Sequence, residues 1–111
     1  MSDGKKVLTL YIGEKDIYEW VMGDGKHTLM PELLIGCEYI IENDVDSYHC
    51  IRIETTIRDK KKAFDFFVKK EEIDTTLTKI MDWAIDVEEY EMCQRVKGLQ
   101  ERLQNEDFSY R

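Results

Sequence analysis

Alternation of apolar and polar positions is clearest between Ser47 and Val68, where His49, Ile51, Ile53, Thr55 and Ile57 interleave with Tyr48, Cys50, Arg52, Glu54, Thr56 and Arg58. A period of two predicts a strand with one buried face. After Asp59-Lys60-Lys61-Lys62 the run Ala63-Phe64-Asp65-Phe66-Phe67-Val68 is aromatic and β-branched, which predicts the returning strand of a hairpin. A four-residue loop places Arg58 opposite Ala63, then pairs Ile57 with Phe64, Thr55 with Phe66 and Ile53 with Val68 on the core side. The wet side then carries Thr56 with Asp65, Glu54 with Phe67 and Arg52 with Lys69.

Upstream, Val7 to Ile12 and Ile17 to Met22 are rich in β-branched and aromatic residues, and Gly13-Glu14-Lys15-Asp16 between them reads as a hairpin loop. The second run also fits a short helix. Gly23-Asp24-Gly25 is a break. The Gly25-Lys26 pair is no phosphate loop, because His27 stands where that pattern needs Ser or Thr and the earlier Gly is missing. Between Pro31 and Asn43 the pattern is poor: Pro31 starts a helical turn at its first position, and Cys37 to Glu42 reads as another strand. The acids of Glu42-Asn43-Asp44-Val45-Asp46 lack the central Gly and final Glu of a calcium loop, so a solvated turn is expected.

From Asp74, placed to cap a helix, the period changes: Leu77, Ile80, Met81, Ala84 and Ile85 recur at helical spacing on one stripe. After Asp86-Val87-Glu88, a second helix carries Met92, Val96, Leu99 and Leu103 on its own stripe, with Tyr90 and Cys93 lying off it. Two short helices on a tight link predict an antiparallel helical hairpin. Gly98 inside the second helix signals either a close backbone approach or local weakness. The expected fold class is α+β: a small antiparallel sheet of about four or five strands, then the helical hairpin. The 111 residues make one domain, β-rich over 1–70, helical over 71–105, with a tail over 106–111.

Composition narrows the function. No apolar run approaches the roughly 18 residues that span a membrane, and the N-terminus, Met1 to Lys6, does not read as a signal peptide. A cytoplasmic location is the expectation. The net charge is −8, and residues 71–111 hold eleven acids against five bases. That balance disfavours nonspecific nucleic-acid contact, which needs Lys and Arg against phosphates. Cys37, Cys50 and Cys93 show neither disulfide nor zinc spacing, so no metal or cofactor is expected. His49 adjoins Cys50, yet strand neighbours point to opposite faces, and His49 falls on the apolar one. Glu88, Glu89 and Glu91 splay around a helix start, where they favour the helix dipole rather than a metal. Catalysis is not expected.

The segment Met81-x-x-Ala84-x-x-x-x-x-Tyr90-Glu91-x-Cys93-x-x-Val96-Lys97 resembles the UVR motif, the small helical hairpin named from the UvrB and UvrC excision-repair proteins. Lys97 stands in place of the usual Arg, and Gly98 in place of the usual Asp. The resemblance covers about a quarter of the chain. It implies a protein–protein interaction module attached to a small sheet, of the kind found in bacterial or bacteriophage accessory proteins. The leading expectation is therefore an adaptor or regulator that docks on a larger protein, with Trp83, Tyr90, Met92, Cys93, Glu88 and Glu89 as contacts. Self-association is left open. Two other readings remain: the run from Glu71 to Glu91, eight acids against one Lys, imitates nucleic-acid phosphates; or Lys60 to Lys62, Lys69 and Lys70, with Phe67 nearby, bind nucleic acid directly.

Overall fold

The computed structural model describes residues 7–105; Met1 to Lys6 and the tail over 106–111 lie outside the described residues. The elements run β1 (Leu8–Tyr11), α1 (Ile17–Met22), α2 (Lys26–Asn43), β2 (Ser47–Ile57), β3 (Lys60–Lys69), a 3-10 turn (Lys70–Glu72), α3 (Ile73–Asp86) and α4 (Tyr90–Asn105). The class is α+β. The sheet has three strands in the order β1-β2-β3, with β1 parallel to β2 and β2 antiparallel to β3, rather than four or five antiparallel strands. Among the described residues no helix is long and apolar enough to cross a membrane.

Ile17 to Met22 takes the helical one of its two readings, and the expected strand Cys37 to Glu42 is helical, so the segment ahead of Ser47 is mostly helical rather than β-rich. Asp16 starts α1 by accepting a 2.7 Å hydrogen bond from the Tyr18 amide, which settles Ile17 to Met22 as a helix, with Ile17 and Trp20 buried. Cys37 to Glu42 is not a strand. It belongs to the 18-residue helix α2, which begins at Lys26 and carries Pro31 well inside rather than at its first position. The first amides of α2 are taken by carbonyls of the preceding turn: Lys26 donates to Gly23, His27 to Asp24, and Thr28 and Leu29 to Gly25. They are spent within the turn, as the rejection of a phosphate loop requires.

α2 is the crossover that lets β1 and β2 run parallel, and it covers one face of the sheet. The approach is close at Gly36. A Cβ there would stand 2.7 Å from Cys50 Sγ and 3.0 Å from both the Tyr48 ring and Val68. Tyr39 of α2 lies against Tyr48, ring centroids 4.8 Å apart. Beneath the helix, Leu34, Ile40, Ile51, Ile53 and Val68 are wholly buried, and Leu77, Ile80 and Val96 join them from the last two helices. Thr55, also buried, donates its hydroxyl to the carbonyls of Gly13 and Lys15, at 2.8 and 2.9 Å, and so ties the loop after β1 to β2.

The β2–β3 hairpin forms, in a different register. Arg58 and Asp59 alone make the turn, both at positive φ (52° and 65°), the signature of a type I′ turn. Ile57 therefore pairs with Lys60, Thr55 with Lys62, Ile53 with Phe64 and Ile51 with Phe66. The slip is four residues along β3, an even number, so Ile53, Thr55, Phe64 and Phe66 keep the covered face. A bulge between His49 and Ile51 then shifts the phase. Tyr48 and Cys50 turn toward α2, and His49 turns to the open face, contrary to the expectation that it shares the apolar side.

Candidate docking surface on the helical hairpin

α3 follows the 3-10 turn, and its N-cap is Glu72, which makes no side-chain cap. Asp74 sits inside the first turn, where its carbonyl accepts from Thr78, 3.0 Å; the expected Asp74 cap does not form. The buried stripe of α3 is Ile73, Leu77, Ile80 and Ala84, with Met81 packed at its margin. Ile85 leaves the stripe and is 55% exposed.

The link between the helices is closed by backbone bonds. Glu88 donates to the Ile85 carbonyl at 3.1 Å and Glu89 to the Ala84 carbonyl at 2.8 Å, with Glu88 at φ 63°. This is a Schellman motif with Glu88 in the left-handed position that glycine usually fills. α4 then packs on α3 and α2 through buried Met92 and Val96, with Leu99 and Leu103 half-buried beside them. An ion pair fastens it: Arg95 donates to the Glu38 carboxylate of α2 through Nε (3.0 Å) and a terminal nitrogen (2.7 Å). The two-pronged bond holds the Arg95 guanidinium above its ordinary pKa.

The hairpin brings together some of the residues read from the sequence and separates others. Tyr90 is 63% exposed, and Glu88 and Glu89 are exposed beside it. With Ile85, Asp86 and Glu91 they form one acidic tip bearing two apolar side chains. Trp83 is half-buried, its ring edge-on to His27 of α2 at 5.3 Å. Cys93 is half-buried against the core, and Met92 is 7% exposed, inside it. Met92 presents no surface to a partner while the hairpin is packed. Ile85 was missed as a surface residue because its spacing in the sequence matches the buried stripe.

The open face of the sheet carries Arg52, Glu54, Asp65 and Phe67, residues read from the sequence as the wet side of the hairpin, and the bulge adds His49 to them. There His49 Nε2 lies 2.9 Å from Asp65 Oδ1, and its ring stacks on Phe67 with centroids 4.5 Å apart and planes 19° from parallel. Arg52 donates to Asp65 at 3.1 Å and to Glu54 at 3.4 Å. Tyr11, from β1, donates its hydroxyl to Thr56 at 3.0 Å and borders a shallow depression lined also by Arg52, Glu54, Lys61, Lys62 and Ala63. The thiols lie elsewhere. Cys37 and Cys50 are buried on the covered side, where burial first, then Cys50 and Glu38, push the Cys37 thiol up to about 12. Among the described residues no three His, Cys, Asp or Glu side chains are grouped to hold a metal ion.

Comparison of the chain with protein-family models, with curated proteins and with solved structures found no match.

Proposed function

We propose that the chain is a noncatalytic adaptor of the cytoplasm that docks on a larger protein through the tip of its helical hairpin. One observation carries the reading: Ile85 and Tyr90, 55% and 63% exposed, flank a rigid capped link and are ringed by Asp86, Glu88, Glu89 and Glu91. Two apolar anchors inside an acidic rim suit a basic surface with a hydrophobic pocket, since buried aromatic anchors supply affinity while rim charges supply orientation and on-rate. The resemblance to the UVR motif supports the same end of the molecule. Trp83 serves here as a support that seats the hairpin on α2 through His27.

The test is quantitative affinity capture from a native lysate with the full chain, compared with Ile85→Ser/Tyr90→Ala, after circular dichroism has shown that the variant is folded. A protein retained by the wild type and lost with the double variant is the expected result. Identical captured sets would refute the reading. A second reading has its own observation: all eight acids from Glu71 to Glu91 are exposed. They are positioned to imitate a phosphate backbone and block a nucleic-acid-binding protein. In that case capture weakens steeply with salt, whereas docking through Ile85 and Tyr90 persists.

A further inference from the structure

The whole-chain charge of −8 conceals a segregation that the fold makes physical. Residues 47–70, the β2–β3 hairpin and its exit, hold seven Lys and Arg against three Asp and Glu, a local excess of +4. The acidic helical hairpin packs with α2 on the covered side, so the open face looks away from it. Charges beyond about 8 to 10 Å are largely screened at ordinary salt, so the local excess, not the total, is what a ligand on this face meets.

The two carboxylates on that face are already matched. Asp65 is held by Arg52 and His49, and Glu54 by Arg52. Lys61 and Lys69, at opposite ends of the same face of β3, have no ion-pair partner among the described residues. They are eight residues apart, about 26 Å at the usual strand rise. Between them stand two exposed rings, Tyr11 (58%) on β1 and Phe67 (50%) on β3, the latter backed by the stacked His49. An open sheet face with separated aromatic rings and free ammonium groups at both ends matches the needs of unpaired bases and their phosphates. Bases stack on the rings, and the backbone runs between the lysines.

We propose that the open face of the sheet binds single-stranded nucleic acid, with Tyr11 and Phe67 as stacking platforms and Lys61 and Lys69 as phosphate contacts. Arg52, Glu54 and Asp65, lying between, offer hydrogen-bonding groups to base edges. A duplex, whose bases are already stacked, gains nothing from the rings. The site is separate from the helical hairpin, so the adaptor reading stands or falls independently.

The test is fluorescence anisotropy of the full chain with labelled oligothymidylate and oligouridylate of about 15 nucleotides, near 50 mM and near 200 mM salt. Binding at low salt is expected, with Phe67→Ala and Tyr11→Ala each weakening it roughly ten-fold or more. Phe67→Tyr, which keeps the ring, should retain affinity and guards against loss through misfolding. Lys61→Ala/Lys69→Ala should lower the log–log salt slope by about 1.4, since each phosphate contact on a single strand contributes about 0.7. The two oligonucleotides distinguish DNA from RNA as the source of the strand. Any of four results overturns the proposal: no binding at low salt, unchanged affinity in Phe67→Ala, equal affinity for a duplex of the same length, or loss of binding in Tyr90→Ala on the remote hairpin.

Discussion

Replacing glycine by alanine inside a helix is one chemical change, yet the structure assigns it opposite signs at Gly36 and Gly98. Each replacement gains about 1 kcal/mol of helix propensity. At Gly98, in α4, an added Cβ meets nothing within 4 Å, so that gain is realised in full. The glycine there is local weakness rather than a close approach. At Gly36 the same Cβ stands 2.7 Å from Cys50 Sγ and 3.0 Å from two further side chains, with Cys50 and Val68 both fully buried. Overpacking of this kind costs roughly 1 to 3 kcal/mol, and three close neighbours place Gly36 toward the upper end. The net is about 2 kcal/mol of destabilisation. For a domain of this size 1 kcal/mol moves the thermal midpoint by about 4 to 8 °C, so Gly98→Ala should melt that much higher and Gly36→Ala about twice as far lower. Scanning calorimetry or circular dichroism reads both. The mechanism is checked by Gly36→Ala/Cys50→Ala: removing the sulfur should recover about 1 kcal/mol relative to the sum of the single changes. A neutral or stabilising Gly36→Ala, or strict additivity in the double variant, would refute the close approach of α2 to the sheet.

Two other outcomes follow from the same geometry. Glu88 occupies the left-handed position of the α3–α4 link, so Glu88→Gly should stabilise the chain by about 0.5 to 1 kcal/mol in urea unfolding, and a loss of stability would argue against the Schellman closure. The Cys37 thiol is held protonated up to about 12 by burial, whereas the unfolded chain releases that proton near 9.0. Between those values the folded state holds one proton more, so stability is complete below the lower pH and falls with rising pH by about 1.4 kcal/mol per unit. Wild type should therefore lose roughly 2 kcal/mol more than Cys37→Ala between about pH 9 and pH 10.5, and parallel stability curves would contradict the burial.

What was legible in the sequence is local. The alternation through Ile51, Ile53 and Thr55 and the spacing of Leu77, Ile80 and Ala84 each report one wet and one dry face of a single element, and the structure places a strand and a helix there. The two-helix hairpin needed only those stripes and a break at Asp86-Val87-Glu88. The open sheet face was half legible: Arg52, Asp65 and Phe67 read as the wet side of the hairpin, but Tyr11 joins them only through a parallel pairing to β2.

Tertiary structure decided the rest, for reasons that can be named residue by residue. α2 has a wide buried arc, with Gly36 and Ile40 turned well away from Leu34 and Ile41, because it is wedged between the sheet and α3; its polar stripe is too narrow to show a clear period, and Cys37 to Glu42 passes for a strand. Arg58 and Asp59 adopt a turn that normally demands Asn and Gly, so nothing local marks it, and the register follows the packing of Ile53 and Phe64 instead. The bulge beside Cys50 exists where Gly36 presses on the sulfur, a contact between residues far apart in the chain. That one inserted residue sends His49 to solvent. A chain's own pattern specifies which side of each element avoids water. Where elements touch, and what is thereby left uncovered, depends on shapes that meet only when the whole molecule closes.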